Sequence, residues 1–268
     1  VAFDLDQLQT VGTPVVALQG VAVDVNTGAT HFAIADDGTL AYVPGNPTPN
    51  LRRLVWVNRS DIVEPIDAPP AVFNDPRISP DGTRVALQVG PIGSGDIWVY
   101  GLKDPTRTRL TFDGLSTGPI WSADGRSVYY ATVDAANRKT TFNHRAADGS
   151  REPETAGGSL DLRAYLGGID RTGRNGIIFI APWGGFFDMA RATFGPTTTV
   201  TNLVATPANE YGGALSPNEE WIAYTTPESG RNEVYALSLS GTRSRVPISS
   251  DGGEEAHWSA SGREIFYR

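Results

Sequence analysis

Short runs of β-branched and aromatic residues recur along the chain: Leu40-Ala41-Tyr42-Val43, Val85-Ala86-Leu87, Val128-Tyr129-Tyr130, Ile177-Ile178-Phe179-Ile180, Trp221-Ile222-Ala223-Tyr224 and Glu264-Ile265-Phe266-Tyr267. Each follows a polar turn, and each turn follows one apolar position, filled in order by Ile34, Ile78, Trp121, Ile169, Leu215 and Trp258. That order reads as a β-hairpin, with the single apolar position expected in the core. The turns are Ala35-Asp36-Asp37-Gly38, Ser79-Pro80-Asp81-Gly82, Ser122-Ala123-Asp124-Gly125, Asp170-Arg171-Thr172-Gly173, Ser216-Pro217-Asn218-Glu219 and Ser259-Ala260-Ser261-Gly262. Anchored on Asp37, Asp81, Asp124, Thr172, Asn218 and Ser261, they are spaced by 44, 43, 48, 46 and 43 residues. Counting from Ser261 through the end of the chain and on to Asp37 gives 44 again. This period belongs to four-stranded propeller blades, and the wrap-around value is what a closed ring requires.

A third strand follows each hairpin, as in Asp96-Ile97-Trp98-Val99-Tyr100 and Asn232-Glu233-Val234-Tyr235-Ala236. A fourth follows a Gly or Pro turn, as in Arg107-Thr108-Arg109-Leu110 and Ser244-Arg245-Val246-Pro247-Ile248. The fold expected is therefore all-β, a six-bladed β-propeller of four antiparallel strands per blade, forming a single domain over residues 1–268. The last unit has only two strands, His257-Trp258-Ser259 and Glu264 to Tyr267, so its outer pair is expected from Val1 to Leu5 and Val15 to Leu18. Residues 1–18 would then close the blade of residues 254–268. Two units depart from the pattern: Asn218-Glu219 lacks the turn Gly, and Trp183-Gly184-Gly185-Phe186-Phe187 stretches the fourth unit, as a remodelled loop, an aromatic lip or loose packing.

Charge narrows the partners. The formal net charge of −8 and pI near 4.9 argue against nucleic acid, because 22 Lys and Arg are dispersed among 30 acidic residues. Cationic or neutral partners are favoured. Without Cys there is neither a disulfide nor a thiolate metal site. No apolar run is long enough to insert this chain in a membrane or to act as a signal peptide. A monomer is expected, and Val1 followed at once by strand-like sequence suggests a mature or excised part of something longer.

The segments "SPDGTRVAL", "DIWVY", "RLTFDG", "PIWSADGRSVYY", "RNEVYALSLSG" and "HWSASGREIFYR" resemble the TolB-like, WD-repeat-like six-bladed propellers. Their order, from "VAFDLDQL" to "GREIFYR", is most similar to the C-terminal propeller of bacterial membrane serine/threonine protein kinases. The likeness covers essentially the whole chain, although its motifs are turn and core residues and say little about function. It implies an extracytoplasmic (periplasmic or extracellular) location and a sensing or partner-binding role. Neither a phosphate-covering Gly-rich loop nor a His-Arg-Asp catalytic segment occurs, so kinase activity is excluded for this chain.

In a propeller the innermost strands line a central channel, and the loops entering them form a funnel where ligands and catalysis usually sit. Six positions before the anchors stand His31, Asp75, Gly118, Leu166, Gly212 and Glu255. Four before them stand Ala33, Arg77, Ile120, Gly168, Ala214 and His257, and seven before them Thr30, Asn74, Thr117, Tyr165, Tyr211 and Glu254. The polar members His31, Asp75, Arg77, Tyr211, Glu254, Glu255 and His257 are the candidate ligand-binding set, for a small molecule or a protein at the channel face. The leading reading is a non-catalytic binding or sensing module. The alternative is a hydrolase of small esters, lactones or phosphotriesters, in which a divalent cation or a carboxylate–histidine pair in the channel activates water. A structural rim, with Glu255 paired to Arg77 or to backbone, is the third possibility. Ser79, Ser122, Ser216 and Ser259 share one repeat column and read as turn caps, and His144 reads as a solvated strand residue. There is no Gly-x-Ser-x-Gly and no His-Glu-x-x-His.

Overall fold

A computed structural model describes residues 51–57, 60, 62–91, 95–241, 244–259 and 261–268, together with the backbone of four short strands among the first fifty. The chain falls into two compact units, Val1–Leu51 and Arg52–Arg268. In the first, Ala2–Asp4 pairs with Gln9–Val11, and Phe32–Ile34 pairs with Leu40–Tyr42 as the repeat predicts. The strand expected over Val15 to Leu18 lies outside the described residues.

The second unit holds four complete antiparallel sheets, each with its strands in sequence order. The first runs Phe73–Ile78, Arg84–Val89, Asp96–Gly101, Arg107–Arg109, and the second Ser116–Trp121, Ser127–Asp134, Lys139–Ala146, Glu154–Thr155. The third runs Arg163–Ile169, Asn175–Ala181, Asp188–Thr193, Thr199–Val204, and the fourth Tyr211–Leu215, Trp221–Thr226, Glu233–Ser238, Arg245–Pro247. Two hairpins flank them, Val55–Val57 with Val63–Pro65 and His257–Trp258 with Ile265–Phe266. Successive innermost strands pack side by side, and the apolar clusters bridge neighbouring sheets. Ala86, Ile97 and Val99 of the first sheet, for instance, meet Trp121, Val128 and Tyr130 of the second.

Each described turn has the chemistry its sequence implies. The Gly82, Gly125, Gly173 and Gly262 N–H groups close turns onto the carbonyls of Ser79, Ser122, Asp170 and Ser259, at φ near 66–70°. A Cβ is disfavoured there, which explains the recurring Gly. In the fifth turn Glu219 takes the same place at φ 62°. The serine column is confirmed as capping: the Ser79, Ser122 and Ser216 hydroxyls accept from Arg84, Ser127 and Trp221 N–H and donate to Asp81, Asp124 and Asn218.

The third and fourth strands are clasped by one repeated device. Asp96 accepts from the Thr111 hydroxyl at 3.0 Å, from Arg109 at 2.6 Å and from Gly114 N–H at 3.1 Å. Glu233 accepts from the Ser249 hydroxyl, from Arg231 at 2.8 Å and from Gly252 N–H at 3.0 Å. The Ser249 hydroxyl, ahead of the other partners, holds the Glu233 carboxyl below its usual range. These clasps account for the spacing in "DIWVY…RLTFDG".

The apolar column before the turns is a seam between sheets, not uniformly core. Trp121 is buried and Trp258 half-buried, and their indole N–H groups donate to the carbonyls of Arg77 (2.8 Å) and Ala214 (2.9 Å), each 44 residues earlier. Ile169 and Leu215 are half-buried, whereas Ile78 is 54 % exposed. All of them line a cavity at the turn end of the innermost strands. His144 is a second correction. Its ring stacks on Tyr129 with centroids 5.0 Å apart and is only partly exposed, because the two residues are a directly opposed cross-strand pair. In the stretched loop, Phe187 packs on Tyr165 (5.3 Å) while Phe186 is exposed.

Candidate functional site

The innermost strands are not regular. The first, second and fourth sheets have register breaks between Asn74 and Arg77, Thr117 and Ile120, and Tyr211 and Ala214, each setting two residues against one on the partner strand. The first bulged residue is left-handed every time: Asp75 at φ 48°, Gly118 at 60° and Gly212 at 61°. Glu255, at the same repeat position in the last unit, has φ 57°. A bulge whose first residue is in this conformation is normally built on Gly. Two repeats comply; Asp75 and Glu255 put carboxylates there instead, at a backbone cost of about 1–2 kcal/mol for a residue with a Cβ. The third sheet has a shorter bulge, between Leu166 and Gly168, without left-handed backbone at Leu166.

These bulges divide the predicted residues into two levels. On the rim, Glu255 lies 3.1 Å from Arg268, which also holds Glu254 at 2.9 Å, and Asn232 donates to Glu254 at 3.2 Å. Tyr211 is half-buried beside them, and burial followed by the charges of Glu254 and Glu255 raises its phenol pKa. Arg268 is a member that sequence reasoning missed. Counting the antiparallel register outward from the His257–Phe266 pair would have placed it beside Glu255.

Two positions further along the strands, Arg77 and His257 line a cavity between the inner strands. The half-buried Arg77 guanidinium donates to the Pro76 carbonyl at 3.1 Å and forms no ion pair among the described residues. Desolvation lowers its pKa, with Asp75 and Glu255 partly opposing the fall, so all three charges share one field. His257 is exposed and lines the same cavity as Arg77. Desolvation, then the charge of Arg77, pushes its pKa down to about 4. The predicted Glu255–Arg77 pair is thus a longer-range interaction, and the direct partner of Glu255 is Arg268.

Arg77 and His257 line a cavity of about 340 Å³ with Ile120, Gly168 and Ala214, which are the described members of the same repeat column. Its walls are Ile78, Trp121, Ile169, Leu215 and Trp258, and it opens beside Pro80, Ala123, Pro217 and Ser259 in the turns. There Arg171 N–H donates to Glu219 at 2.7 Å, and the Arg171 guanidinium donates to the Pro217 carbonyl at 2.8 Å. Glu219, itself left-handed, lines this cavity.

Of the seven predicted residues, Asp75, Arg77, Glu255 and His257 interact electrostatically, Tyr211 and Glu254 join through the rim, and His31 lies outside the described residues. Among the described residues no group of three or more His, Asp or Glu side chains is arranged to hold a metal ion. A histidine titration followed by NMR should place the His257 midpoint near 4, and Arg77→Gln should raise it. Folded His257 binds fewer protons than the unfolded residue, whose pKa is 6.5. It therefore adds no penalty above that pH, and destabilises the fold as pH falls from 6.5 towards 4. A midpoint unmoved by Arg77→Gln would contradict this arrangement.

Radial antiparallel sheets of four strands around inner strands that carry the polar residues define a β-propeller protein. Residues 54–262 match the TolB beta propeller domain, and the chain belongs to that family. No curated protein matches it. Among solved structures it is similar to a protein assigned as TolB from Agrobacterium tumefaciens, with TM-score 0.64 and 19 % identity over 80 % of this chain and 75 % of that one. It is also similar to TolB from Acinetobacter baumannii, with TM-score 0.62 and 21 % identity over 81 % of this chain and 54 % of the other. Oligogalacturonate lyase from Vibrio parahaemolyticus matches with TM-score 0.53 and 10 % identity, over 91 % of this chain and 75 % of that chain. At these identities the likeness is one of fold. Among the described residues no helix is long and apolar enough to cross a membrane.

Proposed function

We propose that the chain is a non-catalytic binding module whose contacts come from the channel rim and wall, working as a monomer outside the cytoplasm. The reading rests on one observation: Asp75 and Glu255, far apart in sequence, occupy equivalent left-handed bulge positions where two other repeats have Gly, and both act on Arg77. Strained carboxylates at a channel mouth are better suited to recognising a ligand than to holding a strand. The family supports extracytoplasmic location, and the resemblance to membrane-kinase propellers would make the module a sensor. The repeat spacing further supports a six-bladed ring closed by residues 1–18 against residues 254–268. Deleting residues 1–18 should then cause aggregation; a deletion variant that stays monomeric with unchanged melting contradicts the closure.

The test of function uses a trilysine peptide as a cationic probe, with p-nitrophenyl acetate and a phosphotriester as hydrolase substrates. Trilysine binding should weaken severalfold in Asp75→Asn and Glu255→Gln and be indifferent to chelator. Neither substrate should turn over above background. Turnover that His257→Ala or a chelator abolishes would establish the hydrolase reading in place of this one.

A further inference from the structure

We propose that the Arg77 level of the channel is a receptor for a monoanionic carboxylate carrying a small apolar body. The inference deepens the binding-module reading and takes from it only the premise that the channel is a binding site.

Most charges around the cavity and its rim have a partner of opposite sign. Glu255 and Glu254 are matched by Arg268, Glu219 by Arg171, and Asp75 is exposed on the rim. Arg77 has no ion pair among the described residues, and its guanidinium donates to the neighbouring Pro76 carbonyl. A guanidinium has five N–H donors in a planar fork, so most of its capacity is left for an incoming acceptor. Desolvation of the guanidinium makes that capacity costly to leave unused, and a carboxylate engages the fork in two parallel bonds. Neutral His257 can add one further N–H donor beside it.

The surroundings choose among anions. Asp75 and Glu255 both act on Arg77, so a dianionic phosphate would meet two carboxylates with one guanidinium to offset them. A single negative charge suits the field better. Below Arg77 the walls are Ile78, Ile120, Trp121, Ile169, Leu215 and Trp258, and the indole N–H groups are already committed to backbone carbonyls. Those walls offer apolar surface, while Arg171, Glu219 and Ser259 stand towards the turn end. A cavity of about 340 Å³ suits an acid the size of one aromatic amino acid. Either a free small acid or the C-terminal carboxylate of a peptide supplies this chemistry.

Isothermal titration calorimetry of the full chain with N-acetyl-phenylalanine, its amide, and the peptide acid acetyl-Ala-Ala-Phe tests the proposal. An acid is expected to bind at least tenfold more tightly than the amide. Arg77→Gln should lose at least tenfold, Arg77→Lys should lose less because it keeps the charge without the fork, and Glu255→Gln should bind as well or better. Equal binding of both acids identifies a small acid as sufficient, and binding of the peptide alone identifies a chain end; both support the receptor. Equal affinity for acid and amide overturns it, as does no binding of either acid or an unaffected Arg77→Gln. If Arg77→Gln does not fold, Arg77→Lys carries the comparison. A chain that binds trilysine but no carboxylate loses this inference alone.

Discussion

Trp121→Ala is expected to cost about 3–5 kcal/mol in urea unfolding, the range for deleting a large buried aromatic. Trp121 is 8 % exposed and packs among Ala86, Ile97, Val99 and Tyr130, so truncation opens a void between the first and second sheets. It also removes the indole N–H from the Arg77 carbonyl and the ring from beneath the Arg84 guanidinium, 4.8 Å from its centroid. Trp121→Phe should cost less, because much of the packing survives while the carbonyl loses its donor. Trp258→Ala should cost less than Trp121→Ala, since Trp258 is only half-buried. Equal and small losses at both positions would show that the seam does not hold the sheets together.

A comparable loss, about 3–5 kcal/mol, is expected for Phe179→Ala. The Phe179 ring fills space left by two glycines of neighbouring innermost strands: a Cβ on Gly167 would meet Phe179 at 2.6 Å, and one on Gly213 at 2.4 Å. Gly213→Ala should therefore cost about 1–3 kcal/mol by overpacking. Because the added methyl and the ring compete for one space, Gly213→Ala combined with Phe179→Leu should cost less than the two separate losses together. Strict additivity would mean that the ring does not determine how closely these strands approach.

The sequence carried the hairpins clearly, because Asp-Gly turns and β-branched runs have local physical causes. Ser79 and Gly82 perform the roles their types imply. The seam was less legible. Ile78 and Trp121 share a column, yet one is exposed and the other buried: Trp121 packs against the first sheet, while the strand that the repeat sets before Ile78 belongs to the other compact unit. His144 was misjudged for the same reason: its cover comes from Tyr129 on the opposing strand, and register is not visible in a single segment.

At the candidate site, repeat alignment groups Asp75 with Glu255 and Arg77 with His257, because repetition places equal positions at equal depth. That the first pair sits on left-handed bulges was not read from it. The clue was present in the Gly118 and Gly212 of the same column. Arg268 escaped because its role depends on pairing across the final hairpin.

Glu255→Gly separates a functional from a structural role for the strained rim. Its stability by urea unfolding and its affinity for trilysine should be measured on the same preparation. If the left-handed carboxylate is held for binding, Gly relieves the strain and stability rises by about 1 kcal/mol, because the Arg268 pair lost with it is largely exposed and contributes little. Trilysine affinity should fall severalfold at the same time. A variant that is less stable and binds trilysine unchanged would contradict the account.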